Sequence, residues 1–338
     1  MASGTLQLHP SARCNLRCHH CYSSSGPDRA DALSNELLTD VIDDAAAIGY
    51  GALAVSGGEP LMYRGLEQLL RRGRAAGMRT LVTTNGTLAT PARLERLAPW
   101  LDVLAFSLDG PPEVHNAVRG VPWAFERLVK GLSAASALGI PHGVLYTATA
   151  SSWPYVEWAS KLAESHGCAL FQVHAISDVG RARAEMQDEL LGDVLDYAYV
   201  AASMVRNAQQ GGMKVHLDLL RRSELEAMSV QDAGAGGERR PPVLVVEEDG
   251  VVVPFAHGFS RAGMVADLRD TRLRDAWPAF ARDVYPALVR FAEATRARLL
   301  ASDRRVFDWY AELGATPVPD AGRPASVPVA VTGSRSRT

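Results

Sequence analysis

The sequence contains little cysteine, with four residues in a chain of 338: Cys14, Cys18, Cys21 and Cys168. So few thiols, three of them in one short stretch, exclude a disulfide-stabilised secreted scaffold. The first residues lack the charged, apolar and small-residue pattern of a secretion signal. No apolar run approaches the roughly 18 residues of a membrane-spanning helix. These absences predict a cytoplasmic protein without a membrane partner.

An excess of charge of one sign is also missing. The chain has 35 Lys and Arg against 38 Asp and Glu, a net charge of -3 and a pI of about 6.3. Nucleic-acid-binding domains usually have a basic face or a pI above about 9, so we expect no nucleic-acid partner. Apolar residues make up 47% and charged residues 22%, which is typical of a globular protein.

Six apolar runs in the first half are typical of strands and alternate with amphipathic helical patterns. The predicted strands are Thr5–Pro10, Ala52–Gly58, Arg79–Gly86, Asp102–Gly110, Gly143–Thr149 and Ala169–His174. The predicted helices are Ser34–Ile48, Tyr63–Ala76, Pro91–Ala98, Ala124–Leu138 and Trp153–His166, and the glycines expected to cap four of them are Gly49, Gly77, Gly139 and Gly167. Repeated βα units build a parallel sheet, and six units are fewer than the eight of a closed barrel. We therefore predict an α/β fold with a partial (β/α)6 TIM-like barrel.

A small C-terminal α+β extension is expected to follow the barrel. One more helix is predicted at 188–210, and the sequence QDAGAGGERRPP at 231–242 predicts a flexible link. Two β runs flank Asp249-Gly250 within Val243–Phe255, which is a strong hairpin signal. Helical patterns return between Arg272 and Leu313, and the Pro-, Ser-, Ala- and Arg-rich end predicts disorder.

The stretch CNLRCHHCY, from Cys14 to Tyr22, follows the first predicted strand. This position is at the C-terminal mouth of the parallel sheet, where barrel enzymes place their chemistry. Three thiolates would hold a four-iron cluster with one iron left open. A zinc ion with His19 or His20 as the fourth ligand is the alternative. Cys168, at the start of the sixth strand, is expected to be a buried structural thiol.

The spacing of Cys14, Cys18 and Cys21 resembles the CxxxCxxC signature of radical S-adenosylmethionine (radical SAM) enzymes. Ser56-Gly57-Gly58-Glu59-Pro60, at the end of the second strand, resembles the GGEP motif of that family, where the backbone and Glu59 meet the ammonium group of the cofactor. The resemblance implies one 4Fe-4S cluster on the three cysteines. It also implies S-adenosyl-L-methionine on the open iron, and it makes the zinc alternative much weaker.

Further segments resemble the radical SAM enzymes that modify peptides and related natural products: Thr84-Asn85-Gly86, Ser107-Leu108-Asp109-Gly110 and the HxxxRG element His115–Gly120. Arg119 would hold a carboxylate bidentately, although a solvated surface arginine is the alternative, as plain turns are for the two Gly-containing segments. His174 lies where the family contacts adenine. The residues expected to bind the cofactor are Tyr22, Gly57, Gly58, Glu59, Asn85, Ser107, Asp109, Arg119 and His174.

The hairpin region faintly resembles the SPASM-type extension of the peptide-modifying members. In those enzymes a cysteine follows the proline and further cysteines bind auxiliary clusters, whereas here Phe255 follows Pro254. We therefore expect a degenerate extension without auxiliary clusters. The predicted organisation is a radical SAM core at 1–210, a connecting segment and flexible link at 211–242, the extension at 243–313 and a disordered tail at 314–338.

The resemblance implies an enzyme that reductively cleaves S-adenosylmethionine to a 5′-deoxyadenosyl radical, which abstracts hydrogen from a substrate. It also implies an external electron donor such as a flavodoxin or ferredoxin. The expected substrate is a ribosomal peptide or another secondary metabolite, and a nucleoside or sugar intermediate of antibiotic biosynthesis is the alternative. An alternative from another class is a non-catalytic zinc or iron–sulfur binding module. No side chain is assigned a catalytic role, because the protein mainly orients such cofactors.

Overall fold

The computed structural model describes residues 4–208, 212–228 and 240–318. The strands are β1 (Thr5–Leu8), β2 (Ala52–Val55), β3 (Arg79–Thr84), β4 (Val103–Leu108), β5 (His142–Ala148), β6 (Leu170–Ala175), β7 (Lys214–Leu217), β8 (Leu219–Arg221), β9 (Val243–Val246), β10 (Val251–Pro254), β11 (Ala266–Asp267) and β12 (Val306–Asp308). The α-helices are α1 (Asn35–Ile48), α2 (Leu66–Ala75), α3 (Pro91–Leu97), α4 (Pro112–Arg119), α5 (Ala124–Ala137), α6 (Val156–Ser165), α7 (Gly180–Glu185), α8 (Leu195–Ala208), α9 (Arg222–Ala227), α10 (Leu273–Ala279), α11 (Tyr285–Leu300) and α12 (Trp309–Ala315). Most of the predicted link, 231–239, and the predicted tail from residue 319 onward lie outside the described residues.

One open sheet organises the chain, with the strand order β11-β10-β9-β1-β2-β3-β4-β5-β6-β7. The strands from β9 through β1 to β7 are parallel, and β10 and β11 are antiparallel additions at the β9 edge. Within the described ranges the two end strands, β11 and β7, do not pair with each other, so the barrel stays open. The predicted α/β fold with a partial TIM-like barrel is confirmed.

All six predicted strands are present, and two more parallel strands extend the series at its edges. Strand β7 was not predicted, because Lys214 and His216 are exposed and interrupt its apolar pattern. The hairpin around Asp249-Gly250 is confirmed, but its first strand, β9, also pairs with β1 in parallel, Thr5 opposite Val243. This pairing joins segments far apart in the sequence, which a local pattern does not reveal.

The parallel strands present two different faces. Along β1, Leu6 and Leu8 are fully buried in the main hydrophobic core, whereas Thr5 and Gln7 line a cavity on the other face. Successive side chains of a strand point to opposite faces, so each strand contributes to both the core and the cavity. The same alternation directs Ser107 of β4 into the cavity.

Helix α4 was not predicted as a helix, although its residues were singled out as the HxxxRG element. It begins at Pro112, whose fixed φ suits the first turn, and it ends at Gly120, which has φ 74°. His115 and Arg119 lie four residues apart and therefore share one helix face, where both are buried.

The predicted helix caps are confirmed, since Gly49, Gly77, Gly139 and Gly167 all have positive φ. No helix in the described part of the chain combines the length and the apolar character needed to cross a membrane.

The C-terminal segment is joined to the barrel by a buried carboxylate. Asp44 of α1 is 4% exposed. It accepts hydrogen bonds of 2.9 and 3.2 Å from Arg272, which precedes α10, and one of 3.2 Å from the backbone N–H of Arg274. Hydrogen bonds to a charged group are worth more than neutral ones, so this contact stabilises the packing of α10 on α1.

Candidate cofactor site

A cavity of about 620 Å³ lies against the inner face of the parallel sheet. Its lining includes Cys14, Cys18 and Cys21 at one side and Gln172 and His174 of β6 at another. The volume is within the usual range for small-molecule and cofactor sites. The cysteine loop, residues 14–22, is therefore part of the wall of a chamber large enough for a small molecule.

The three cysteines are free thiols, and two of them are deeply buried. Burial raises the pKa of the Cys14 thiol to about 12 and also raises the pKa of Cys18, where nearby Arg119 opposes the effect. Three donors face the sulfurs: the N–H of Leu16 lies 3.4 Å and Asn85 Nδ2 3.8 Å from Cys14 Sγ, and Arg119 Nη1 lies 3.8 Å from Cys18 Sγ. These donors would stabilise thiolates once a metal has displaced the protons.

Gly57 and Gly58 lie against the chain that leads into the cysteine loop. The N–H of Gly58 donates to Ser11 O at 2.9 Å, and the N–H of Glu59 donates to Arg13 O at 3.0 Å. A Cβ on Gly58 would collide with the carbonyl of Arg13. The glycine pair, which also lines the cavity, thus permits a close approach of two backbones.

Glu59 is buried, and its carboxylate is bonded within the protein. Oε1 accepts from Thr84 Oγ1 at 2.7 Å and from the N–H of Leu61 at 3.0 Å, and Oε2 accepts from the N–H of Asn85 at 2.8 Å. Glu59 is not among the residues that line the cavity. The structure therefore places this predicted cofactor ligand where it joins the ends of β2 and β3.

Asp109 is the centre of a buried polar cluster beneath the cysteine loop. It contacts Arg119 at 2.6 and 3.0 Å, His20 Nε2 at 2.9 Å and His115 Nδ1 at 3.0 Å. Burial alone would raise the pKa of Asp109, but Arg119 and His20 hold it well below its usual range. His20 lines the cavity, and its buried Nδ1 has no hydrogen-bond partner. Sequence reasoning singled out Asp109 and Arg119 separately and missed that they pair.

The other predicted residues occupy different parts of the wall. The Tyr22 hydroxyl lies 3.0 Å from Ser56 Oγ, and burial raises the Tyr22 pKa to about 12. His174 Nε2 lies 3.0 Å from Thr147 Oγ1 on β5, and burial lowers its pKa. Asn85 donates to Asn15 Oδ1 at 3.1 Å, which connects the end of β3 to the cysteine loop.

Cys168 lies in a different place from the three clustered cysteines. It is 5% exposed and packs in the main hydrophobic core, and it does not line the cavity. Burial raises the pKa of its thiol to about 12. The expectation of a buried structural thiol agrees with this position.

Helix α7 holds the cysteine loop from outside, through residues that sequence reasoning missed. Arg181 donates through its backbone N–H to Cys21 O at 3.0 Å, through Nε to Cys18 O at 2.8 Å and through Nη2 to Ser25 O at 2.5 Å. Gly180 has φ 58° and no room for a Cβ beside the carbonyls of Cys21 and Tyr22. The sequence RARAE after this glycine matches no motif, so only the fold could identify the contact.

The geometry disfavours a zinc ion on the cysteine loop. His19 Nδ1 bonds Glu185 at 2.7 Å on the outer surface, and His20 Nε2 is committed to Asp109. A zinc ion would hold ligand sulfurs about 3.8 Å apart, given Zn–S bonds of about 2.3 Å. Within the described residues, the only three His, Cys, Asp or Glu with ligand atoms all within 4.8 Å of one another lie elsewhere. The three sulfurs are therefore not all within 4.8 Å of one another, which is wider than one zinc ion requires.

Comparisons with known proteins find similarity over part of the chain. A family model described as the radical SAM superfamily matches residues 8–150. The AdoMet-dependent heme synthase of Methanosarcina barkeri is 34% identical over 177 residues, which are 51% of this chain and 50% of the relative. The PqqA peptide cyclase of Ruegeria pomeroyi is 36% identical over 135 residues, 38% of this chain and 35% of the relative. The chain thus spans half or less of the length of these relatives.

A solved structure shares the fold at low sequence identity. Streptococcus suis SuiB bound to S-adenosylmethionine superposes with a TM-score of 0.67 at 18% identity, covering 86% of this chain and 68% of that chain. SuiB bound to its precursor peptide SuiA gives the same TM-score at 15% identity, covering 86% and 67%.

Proposed function

We propose that this chain is an enzyme that uses S-adenosylmethionine to remove hydrogen from a substrate, a proposal that the match of residues 8–150 to the radical SAM family model supports. Cys14, Cys18 and Cys21 would hold one 4Fe-4S cluster. The observation that carries the proposal is that these three free thiols line one cavity and that donors from separate elements face the sulfurs of Cys14 and Cys18.

When bound, the cluster and S-adenosylmethionine supply one-electron cleavage of a carbon–sulfur bond, giving methionine and, after hydrogen transfer, 5′-deoxyadenosine. The residues of the chain bind and orient. Asn85 and Arg119 donate toward the sulfurs of Cys14 and Cys18, and donors of this kind tune the potential of such clusters. His20 Nε2 contacts Asp109, and its buried Nδ1, which has no hydrogen-bond partner, would be a polar contact for a bound cofactor, since His20 lines the cavity.

The reductant is an external protein such as a flavodoxin or ferredoxin in this proposal. After the three loop cysteines, the sequence offers only Cys168, which is buried in the core away from the cavity. One cysteine cannot hold a second cluster of the usual kind. A donor protein outside this sequence would therefore supply the electron.

The substrate is a peptide or another secondary metabolite. Support for a peptide comes from the names of the PqqA peptide cyclase and of SuiB with its precursor peptide, which are properties of those proteins. The lining of the cavity includes apolar side chains such as Leu145 and Leu170 and also the polar side chains of Gln172, Asp218, Asp308 and Tyr310. This wall would hydrogen-bond a polar substrate. A nucleoside or sugar substrate stays an alternative prediction.

Anaerobic reconstitution with iron and sulfide, followed by dithionite and S-adenosylmethionine, tests the proposal. We expect iron and sulfide in a stoichiometry of about four each per chain, and 5′-deoxyadenosine detected by chromatography and mass spectrometry. The Cys18→Ala protein should bind no cluster and form no 5′-deoxyadenosine. The Cys168→Ala protein should bind the cluster and form 5′-deoxyadenosine. If the wild-type protein binds zinc in the cysteine loop and forms no 5′-deoxyadenosine, the proposal is wrong.

A second experiment addresses the substrate. The gene is coexpressed with short reading frames encoded beside it. The peptides that these frames encode are purified, and their masses are measured by mass spectrometry. A mass change that depends on Cys18 supports a peptide substrate. Neighbouring glycosyl- or nucleotide-modifying genes without such a peptide would support the nucleoside or sugar alternative instead.

A further inference from the structure

Two histidines and a glutamate converge beside the cysteine loop without using any of its thiols. His9 follows β1, Glu248 lies in the turn between β9 and β10, and His257 follows β10. β1 and β9 are parallel neighbours, and the N–H of His9 donates to Val246 O at 2.9 Å. The C-terminal ends of these two strands therefore bring His9 and Glu248 together.

A strained turn brings the third residue to the same place. Phe255, directly after β10, has φ 71°, a conformation that non-glycine residues rarely adopt. Two residues later, the ring of His257 stacks on that of His9, with centroids 4.7 Å apart and planes inclined by 13°. Backbone strain of this kind persists where the surrounding structure holds it, often at functional sites.

The distances suit a single ion. Glu248 Oε2 lies 3.0 Å from His257 Nε2 and 3.8 Å from His9 Nδ1, and one ligand atom of each residue lies within 4.8 Å of the other two. Two imidazole nitrogens and one carboxylate are a recurrent donor set for divalent zinc and for non-haem iron. The oxygen-only sites of calcium and magnesium do not match this set.

An ion pair between Glu248 and His257 explains the 3.0 Å contact but not the state of His9. The His9 side chain is 0% exposed, and its Nδ1, which faces Glu248, has no hydrogen-bond partner. Buried polar atoms in native structures nearly always have one. A cation held between the three residues would be the partner that Nδ1 lacks.

The other ring nitrogen of His9, Nε2, already contacts a protein side chain. Gln7 Nε2 lies 3.0 Å from His9 Nε2. In the structure the Gln7 amide N–H donates to His9 Nε2; metal binding would require the amide to turn by about 180°, so that Nε2–H donates to the Gln7 oxygen and the lone pair of Nδ1 is free for a cation. Ligand histidines usually donate their second N–H in this way.

The group is accessible from the cavity. His257 lines the cavity, and the side chains of His257 and Glu248 are 16% and 17% exposed. An ion held by the three residues could therefore enter from the cavity and keep an open coordination position there, as catalytic zinc sites do.

We propose that His9, Glu248 and His257 bind one divalent first-row transition-metal ion, of the class of Zn²⁺, at a site separate from the three cysteines. The site does not depend on the proposed function, because none of the three loop cysteines takes part in it.

The test uses the reconstituted holoenzyme, in which the cluster occupies the cysteines. The protein is incubated with zinc chloride and desalted, and zinc is measured by elemental analysis beside iron. We expect about one zinc ion per chain in addition to the iron. His257→Ala and Glu248→Gln should weaken zinc binding by more than roughly 100-fold, and Gln7→Ala by about 10- to 100-fold, as supporting partners of metal ligands do. His216→Ala is the matched control, because this exposed histidine pairs with Asp218 on β7.

A second arm removes the cluster altogether. In the variant with Cys14, Cys18 and Cys21 all changed to Ala, Co²⁺ should give visible d–d absorption without sulfur-to-metal charge transfer. That absorption should disappear on adding Glu248→Gln. The proposal is overturned if the wild-type holoenzyme binds no zinc, if His257→Ala and Glu248→Gln retain wild-type zinc, or if the cobalt spectrum shows sulfur ligation.

Discussion

Asp109 and Arg119 form a two-pronged ion pair beneath the cysteine loop, with Nε 2.6 Å from Oδ2 and Nη2 3.0 Å from Oδ1. Both residues are buried, at 0% and 6% exposure. Arg119 also extends toward Cys18 Sγ at 3.8 Å, so the pair connects the end of β4 to a candidate cluster ligand. The carboxylate thereby fixes the guanidinium that faces the sulfur.

Asp109→Ala should lower the free energy of unfolding by about 3–5 kcal/mol, because removing one member of a buried pair leaves the other charge without compensation. Urea unfolding of the cluster-free protein, followed by circular dichroism, measures this loss. Glu126→Ala is the control, since it breaks only an exposed pair with Lys130 and should change the midpoint little. Equal losses in the two variants would contradict a structural role of the buried pair.

Gly58→Ala should prevent the cysteine loop from docking on the end of β2. A Cβ at this position would collide with the carbonyl of Arg13, and overpacking of a well-packed site costs typically about 1–3 kcal/mol. We expect the iron content after reconstitution to fall in parallel with stability. Gly26→Ala, four residues after the cysteine loop, is the control without a collision, because nothing lies within 4 Å of a Cβ there and its φ is not positive. Normal iron content in the Gly58→Ala protein would show that the close approach is dispensable.

The parallel sheet was predictable because buried strands leave apolar runs that end at polar, glycine-containing loops. The parallel pairing of β9 with β1 was not predictable, because Val243 lies opposite Thr5 and no local sequence pattern indicates this contact. Helix α4 is short and begins after Asp109-Gly110-Pro111, so turn signals mask its periodicity. Pairing across long sequence separations therefore limits what a single sequence reveals about this fold.

The candidate site was predictable where residues carry a motif and not where they only meet in space. The spacing of the three cysteines is visible in the sequence. Nothing near Arg181 or His257 distinguishes those residues from surface positions, and only the packing of α7 and of the β9–β10 hairpin brings them to the loop. For Glu59 the cofactor contact that the motif indicates stays a prediction, and the structure adds bonds from its carboxylate to the end of β3, which the motif does not indicate.

Arg181→Ala should leave the fold intact but make the cluster more labile. The side chain donates to the carbonyls of Cys18 and Ser25, and hydrogen bonds from charged groups contribute about 1.5–3 kcal/mol. We expect iron to be lost to a chelator roughly tenfold faster, since 1.4 kcal/mol corresponds to a factor of ten. Arg183→Ala on the same helix removes only exposed contacts with Asp178 and should behave as wild type. Identical rates of iron loss in both variants would show that Arg181 does not stabilise the cysteine loop.

At neutral pH, the wild-type protein should be less stable than the Asp308→Asn variant. Burial raises the pKa of Asp308 from 3.8 to about 6, with nearby Asp218 and Glu312 adding to the shift. Between these two pH values the folded state holds more protons than the unfolded state, so the free energy of unfolding falls as the pH rises from about 4 to about 6 and then stays level. Two pK units correspond to about 3 kcal/mol, and partial exposure reduces the expected effect to about 1–3 kcal/mol.

Asn keeps the oxygen with which Asp308 caps α12, at 3.0 Å from the N–H of Ala311, but carries no charge. Asp308→Asn should therefore match the wild type near pH 4 and exceed its stability above pH 6. The free energy of unfolding of Asp308→Ala should likewise not fall between about pH 4 and 6. It should be lower than that of Asp308→Asn at every pH by about 0.5–2 kcal/mol, the usual contribution of such a helix cap. Urea midpoints of the three proteins between pH 4 and 8 measure both effects. A difference between wild type and Asp308→Asn that does not change with pH would show that the carboxyl titrates normally, because that difference depends on pH only when the pKa differs between the folded and unfolded states.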